Sequence, residues 1–250
     1  MMILGIDTAT APATAALVEE GQLVSEEVQP AQTQCGPLSP ITDRANHAEI
    51  ILPLIDRILK GSGLSLPEIS AFALSIGPGS FTGLRIGLST VKGLAYGSDI
   101  PVVGVPTLLA VAARVIDWNG LICPFLDARK KEVYAALFRK RAGTLERLTE
   151  DLASPPERII HRIQSSGSRE PCLFIGDGIR VYGDQIKVSL GDRTLLTLGE
   201  PYPTTASAVA RLGEERFRKK EFGPLGPLVP LYLRSWEKPS LIPSLTKEVP

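Results

Sequence analysis

The stretch that most restricts the fold spans residues 69–97, where the apolar run ISAFALSI leads into GPGSFTG and then into the small-residue-rich LRIGLSTVKGLAYG. A short uninterrupted apolar run bounded by turn residues reads as a buried strand, and the longer segment after it has helix length. The strand VVGV follows at 102–105. A β-to-α unit of this kind places the chain in the α/β class. Glycines at 77, 79 and 83 permit positive φ and close backbone approach, and N–H groups at a helix start can hold an anion. The loop is not a Walker A motif, because no Gly-Lys-Ser/Thr ending follows. Nor is it GxGxxG, because the third glycine falls one residue late. Two readings stay open for Gly77, Gly79, Ser80, Phe81, Thr82, Gly83 and Arg85: an anion cradle or a packing loop. Phe81 at the tip is either a core anchor or a partner contact.

Upstream, ILGIDTA, TAALVEE and, after a Glu20-Gly21 turn, QLVSEEV read as a β-meander. A polar, proline-rich bridge at 30–43 reaches the helical pattern RANHAEIILPLIDRILKGSG, which Thr42 or Asp43 could cap and which Pro53 is expected to bend. Its apolar residues Ile50, Ile51, Leu52, Leu54, Ile55, Ile58 and Leu59 cover more than the roughly 100° stripe of a one-sided helix. Either the helix is central to the core, or it packs on its own sheet and on a second protein. Downstream, PTLLAVAARVI reads as a helix, LICPFLDA and EVYAALFRK as strands flanking a charged turn at 127–131, and CLFIGDG as a second β-to-turn unit. TASAVARLGEERFRKK is a late amphipathic helix, and residues 222–250, with six prolines, should be mostly extended.

Composition removes several function classes. Lys plus Arg and Asp plus Glu both total 27, so no global positive field draws the chain onto nucleic acid, and any RNA contact must be local or shared with a partner. Cys35, Cys123 and Cys172 are widely spaced, odd in number and without a CxxC pattern, which fits a reducing cytoplasm better than a disulfide framework. The opening MMILGIDTATAPA lacks a basic n-region, and no run of about 18 apolar residues occurs, so a soluble, unexported protein is expected. His47 and His161 have no metal-ligand spacing, no GxSxG elbow is present, and no catalytic residue or metal site can be named. His47 reads as a surface or interface residue. Asp7 in GIDTAT ends the first strand, either hydrogen-bonding its own turn or facing a phosphate with Thr8 and Thr10. Gly176-Asp177-Gly178 is either a matching second loop or an ordinary turn.

GIDTAT, NHAEIILPLI, GPGSFTGLRIGLSTVKGLAYG, IPVVGVPTLLAVA and LDARKKEVYAALF together resemble the bacterial TsaB (YeaZ) family. The likeness is close through about residue 140 and thins to GDG and PLYLR. Departures are Ala9 where the phosphate turn of actin-like ATPases has glycine, the 30–43 bridge, Ala48 where serine is more usual, and the proline-rich tail. The resemblance implies an actin-like ATPase (ASKHA) fold of two duplicated lobes with a degenerate nucleotide site at Asp7, Thr8 and Thr10. The first lobe would be 1–106 with 206–235 returning to it, the second 107–205, and the tail 236–250. It further implies a non-catalytic partner of a TsaD-like subunit, which carries the metal-binding histidines and transfers threonylcarbamoyl to the adenosine 3′ of the anticodon. A TsaE-like ATPase would join the pair, tRNA would be bound through the complex, and ATP/ADP and metal would belong to the partners or the shared interface. Homodimerisation of the isolated chain stays open. His47, Ile51, Leu54, Ile55 and Ile58 are the expected partner-facing positions. A kinase or ATPase of the same fold and a peptidase are the competing readings.

Overall fold

The computed structural model describes residues 1–29, 47–198, 202 and 204–233. The 30–43 bridge with Cys35, Thr42 and Asp43, and the 236–250 tail, lie outside the described residues. The chain opens as the expected meander: β1 (Met2–Asp7), β2 (Ala13–Glu19) and β3 (Gln22–Gln29) are antiparallel neighbours. After β1 and β2, whose residues are buried on both faces, β3 alternates exposed and half-buried positions because it lies at the sheet edge. Then follow α1 (His47–Gly61), β4 (Ala71–Gly77), α2 (Phe81–Ser98), β5 (Val102–Pro106) and α3 (Thr107–Ala113). The sheet order is β3-β2-β1-β4-β5, with β1, β4 and β5 parallel. The helix assignment of α1 continues through Pro53, which sits on its exposed side, so the carbonyl that loses a partner there can be hydrated.

The second half comprises β6 (Gly120–Arg129), β7 (Glu132–Ala135), β8 (Phe138–Arg141), β9 (Thr144–Arg147), β10 (Leu152–Ser154), α4 (Pro156–Ser165), β11 (Cys172–Ile175), α5 (Ile179–Leu190), β12 (Thr194–Thr197) and α6 (Thr205–Arg218). Its main sheet path is β10-β7-β6-β11-β12, with β6, β11 and β12 parallel. Each half therefore has a central first strand, two antiparallel strands on one side and two parallel strands on the other. A helix precedes each of those parallel strands, and a third helix closes the half. This duplicated arrangement is the actin-like fold. EVYAALFRK, expected as one strand, is two. It breaks at Ala136 and Leu137, where the Leu137 N–H donates to Thr149 Oγ1 at 2.8 Å and its carbonyl accepts from Leu148 N–H at 2.8 Å. Both pieces pair with the ten-residue β6, β7 along its far end and β8 along its start.

The closing helices are exchanged between the halves. On one face of the first sheet, α1 and α2 enclose Leu4, Ile6, Phe72 and Leu74. The other face is covered by α6, whose Ala208, Val209 and Ala210 meet Ile3, Ala71, Ala73 and Val103. Leu108, Val111 and Ala112 of α3 pack instead on Ile122, Leu126, Leu173 and Ile175 of the second sheet. Close approach of α6 needs glycine: a Cβ at Gly5 would stand 2.3 Å from the Ala206 carbonyl oxygen, and one at Gly213 would stand 2.3 Å from Ala73 Cβ.

Two alanine substitutions should therefore move stability in opposite directions. Gly93, in exposed α2 surface with nothing near its absent Cβ, should gain about 0.5–1 kcal/mol on replacement by alanine. Gly213→Ala should lose on the order of 1–3 kcal/mol by overpacking, despite better helix propensity. Thermal unfolding of both variants checks this, and a stabilised Gly213→Ala would refute the close approach.

Candidate functional site

The β1–β2 turn and the start of α2 meet at the ends of the parallel strands, and the sequence-selected residues Asp7, Thr8, Thr10, Gly79, Ser80 and Gly83 converge there. Asp7 is fully buried. Its Oδ1 accepts the Ala9 N–H at 3.1 Å, and its Oδ2 accepts the Thr10 hydroxyl. Thr8 Oγ1 donates to the Gly83 carbonyl at 2.8 Å, and the Ser80 N–H donates to the Ala9 carbonyl at 2.8 Å. Ser80 caps α2 by accepting the Gly83 N–H at 3.2 Å. The Ser80 N–H is thus directed at the β1–β2 turn, and the Gly83 N–H is taken up by the cap. A Cβ at Gly79 would lie 2.4 Å from the Ala9 carbonyl oxygen, at Gly83 1.9 Å from the Thr8 carbonyl oxygen, and at Gly87 2.2 Å from Thr8 Oγ1. The three glycines let a turn press onto a helix, which supports the packing reading of this loop over an open anion cradle.

On the outer side of the same loop the chain's last described segment returns. Gly77 has φ +116, donates its N–H to Thr107 Oγ1 at 3.0 Å, and leaves room for the Leu231 carbonyl, 2.6 Å from where a Cβ would be. The Leu231 N–H donates to the Ile76 carbonyl at 2.6 Å. Phe81, 47% exposed, lies with its ring 5.2 Å from that of Tyr232, and the Arg85 guanidinium sits 3.9 Å above Phe81 while Arg85 Nε donates to Tyr232 Oη at 3.1 Å. Thr82 is exposed beside them. Phe81 is thus a half-exposed member of an aromatic and guanidinium cluster. The part played by Tyr232 was not foreseen, although a tyrosine and arginine-bearing PLYLR stood out in the sequence.

The expectation for α1 is corrected at four positions. Ile51, Leu54, Ile55 and Ile58 are buried in the chain's own core, together with β-strand residues and with Leu88, Val91 and Ala95 of α2, and have no surface to offer a partner. The wide apolar surface is absorbed by a sheet beneath and a helix alongside. What α1 leaves outward is Leu52, 49% exposed, with Pro53, Asp56, Arg57 and Lys60. His47 opens the helix, and its side chain is outside the described set.

The second half repeats the strand-end construction with different residues. Asp127, near the end of β6, stands where Asp7 ends β1, and Gly176-Asp177-Gly178 follows β11 as Gly77-Pro78-Gly79 leads out of β4. Asp177 Oδ1 accepts the Asp127 N–H at 3.0 Å, and the Gly178 N–H donates to the Phe125 carbonyl at 3.0 Å. Asp177 is an exposed residue, yet its carboxyl lies back against the strand end. That desolvation, reinforced by the neighbouring Asp127 charge, holds its pKa above the usual carboxylate range. Burial pushes the Cys172 thiol up to about 12 and raises Cys123 as well, so neither offers a thiolate at neutral pH. His161 contacts Ser165 on exposed α4. Among the described residues no three His, Cys, Asp or Glu side chains are grouped to hold a metal, and no helix is long and apolar enough to cross a membrane.

Comparison with known proteins gives a consistent picture. The family model described as "TsaD: tRNA N6-adenosine threonylcarbamoyltransferase" matches residues 22–219. The chain is 32% identical over 246 residues to an Escherichia coli protein named tRNA threonylcarbamoyladenosine biosynthesis protein TsaB, covering 95% of this chain and 98% of that one. A Bacillus subtilis protein of the same name is 29% identical, covering 94% of each. A crystal structure described as an uncharacterized protein with similarity to peptidase YEAZ from Pseudomonas aeruginosa superposes with a TM-score of 0.73 at 25% identity, covering 93% of this chain and 99% of that one.

Two substitutions test this geometry. Thr8→Val removes the bond to the buried Gly83 carbonyl and should cost about 1–3 kcal/mol, read from denaturant unfolding. A neutral result would mean the Thr8 hydroxyl does not help fasten the turn to α2. Asp177, whose folded pKa is raised, favours its protonated form in the native state, so its ionisation lowers stability as pH climbs from the unfolded value of about 3.9 through the folded one. Asp177→Asn keeps the acceptor for the Asp127 N–H. It should raise Tm at neutral pH, with the gain disappearing below about pH 3.5; a gain that persists in acid would show that ionisation is not its cause.

Proposed function

The chain belongs to the TsaB (YeaZ) family, and from that premise we propose that it acts in tRNA threonylcarbamoyladenosine formation as a partner subunit rather than as the transferase. The observation that carries this reading is the fastened β1–β2 turn. Where a phosphate-binding member of the fold would need an open backbone cradle beside an acidic residue, Thr8 and Ala9 fill the space and Asp7 is held by its own turn. That arrangement argues against a kinase or ATPase. Among the described residues, burial keeps the Cys123 and Cys172 thiols protonated, so neither is suited to act as a peptidase nucleophile.

In this reading a TsaD-like subunit performs the transfer from threonylcarbamoyl-adenylate to the adenosine 3′ of the anticodon in tRNAs reading codons that begin with A. A TsaE-like ATPase supports turnover, and nucleotide and metal reside with the partners or at the shared interface. The assembly is cytoplasmic and tRNA is engaged through it. For the contact with the TsaD-like subunit, the outward side of α1 around Leu52 and the Phe81, Arg85 and Tyr232 cluster are the surfaces of suitable chemistry, since aromatic, arginine and exposed apolar side chains anchor interfaces.

Purified alone, the chain should show neither threonylcarbamoyl transfer nor appreciable ATP hydrolysis, and addition of TsaD-like and TsaE-like subunits should give transfer to unmodified tRNA. Turnover by the chain alone, surviving removal of trace partners, would sink the proposal. Within the complex, Leu52→Glu should weaken TsaD-like affinity roughly thirtyfold, about 2 kcal/mol, with Tm retained. Ile55→Glu should instead unfold the chain, because Ile55 is core. Unchanged affinity on Leu52→Glu would remove α1 from the interface.

A further inference from the structure

Among the described residues, three two-residue hairpins pose the same backbone problem. Glu20-Gly21 joins β2 to β3, Ala142-Gly143 joins β8 to β9, and Lys130-Lys131 joins β6 to β7, each closed by a directly paired residue on either side. All six loop residues have positive φ: 47 and 76, 48 and 80, 53 and 63 degrees. Such a turn matches the twist of the strands it joins and is best served by glycine or asparagine. Two of the three carry glycine at the second position. The third carries lysine at both, and Arg129 before them also has φ +61. Among these three hairpins only this tip forgoes glycine, and it keeps two long cations in the left-handed region instead.

The tip is also arranged as a charge display. Arg129, Lys130 and Lys131 are all exposed. Asp127 fastens the base by accepting the Arg129 N–H at 2.8 Å and pairing with its guanidinium at 3.2 Å. Among the described residues, neither Lys130 nor Lys131 forms an ion pair. The tip stands at the C-terminal end of β6, beside the Asp177 turn that follows the parallel strand β11, the edge where α/β sheets bind ligands. A single phosphate drawn inward would meet the Asp127 and Asp177 carboxylates, and the Arg129 N–H is already taken by Asp127. Point charges carried outward with carboxylates behind them suit an extended polyanion.

We propose that the Lys130-Lys131 tip is an RNA-backbone contact, pairing with two phosphates of the tRNA held by the assembly. This rests on the function proposed above, and it assigns to RNA contact one local basic element of this charge-balanced chain. Phosphate contacts release condensed counterions, so each lysine contributes roughly one unit to the slope of log affinity against log salt.

The test uses the full chain assembled with its TsaD-like partner, unmodified tRNA as probe, and filter binding from about 50 to about 200 mM salt. Lys130→Gln with Lys131→Gln should lower the slope by about two units, so that the advantage of the parent chain shrinks roughly tenfold across that range. Lys130→Asn with Lys131→Gly supplies the residues the turn favours. It should raise Tm while losing the same RNA affinity, which separates a lost contact from a misfolded hairpin, and the Arg-Arg pair should retain binding. An unchanged slope in the Gln pair, with tRNA still bound, would overturn the proposal and leave the functional reading intact. Loss of ATP affinity in place of tRNA affinity would also overturn it, making the tip a nucleotide contact. If the unsubstituted assembly binds no tRNA, the functional reading fails and the proposal falls with it.

Discussion

The contact on which the first half depends is the near-touching of two backbones, the β1–β2 turn and the first two turns of α2. Gly79, Gly83 and Gly87 lie along this contact and leave no space for side chains, so the Thr8 and Ala9 carbonyls sit where Cβ atoms would otherwise be. From it follow the burial of Asp7, the cap on α2 and the position of Phe81 on the rim. The returning segment is tied to the same place, since Leu231 bonds to Ile76 at the end of β4 and Tyr232 rests on Phe81. A turn that in an open form would be free to receive a ligand is here structural on every side. Such a contact is rigid because backbone atoms, unlike the ends of long side chains, cannot move aside singly.

What could be read from the sequence followed from local rules. The meander, the buried β4 and α2 are each announced by an apolar run and its punctuating glycines, and these stand where expected. The misreading of α1 shows where periodicity stops being informative. Ile51, Leu54, Ile55 and Ile58 reveal how wide the apolar surface is, but not that α2 lies beside α1 to absorb the excess. Nor does any local pattern announce the Tyr232 contact, which joins residues separated by 147 positions through a ring and a guanidinium. The break between β7 and β8 was hidden for the same reason, since Thr149 and Leu148, the residues that satisfy it, come from beyond β9.

The two halves share topology without sharing chemistry. At one strand end Asp7 turns inward and is sealed by helix α2; at the corresponding end Asp127 is partly covered, faces a second carboxylate and carries a basic tip beyond it. The duplication was invisible as residue identity because a fold of this kind asks only for a strand, a turn and a helix in order. Gly-Pro-Gly and Gly-Asp-Gly meet that demand equally, one by close packing and the other by a carboxylate accepting a backbone N–H. Divergence of the two ends leaves one strand end sealed and the other exposed.

The exchange of α3 and α6 has a consequence for how the protein is made. A ribosome delivers the first sheet about a hundred residues before α6, so Ile3, Ala71, Ala73, Val103 and Val105 emerge on a face whose cover does not yet exist. The first half cannot be finished by its own sequence. It must wait as a partly clothed sheet while the second half is translated, and only the arrival of Ala208, Val209 and Ala210 closes it. Quality control therefore has one natural checkpoint: a chain halted before α6 displays an apolar sheet face that a chaperone or protease can recognise, and a completed chain conceals it.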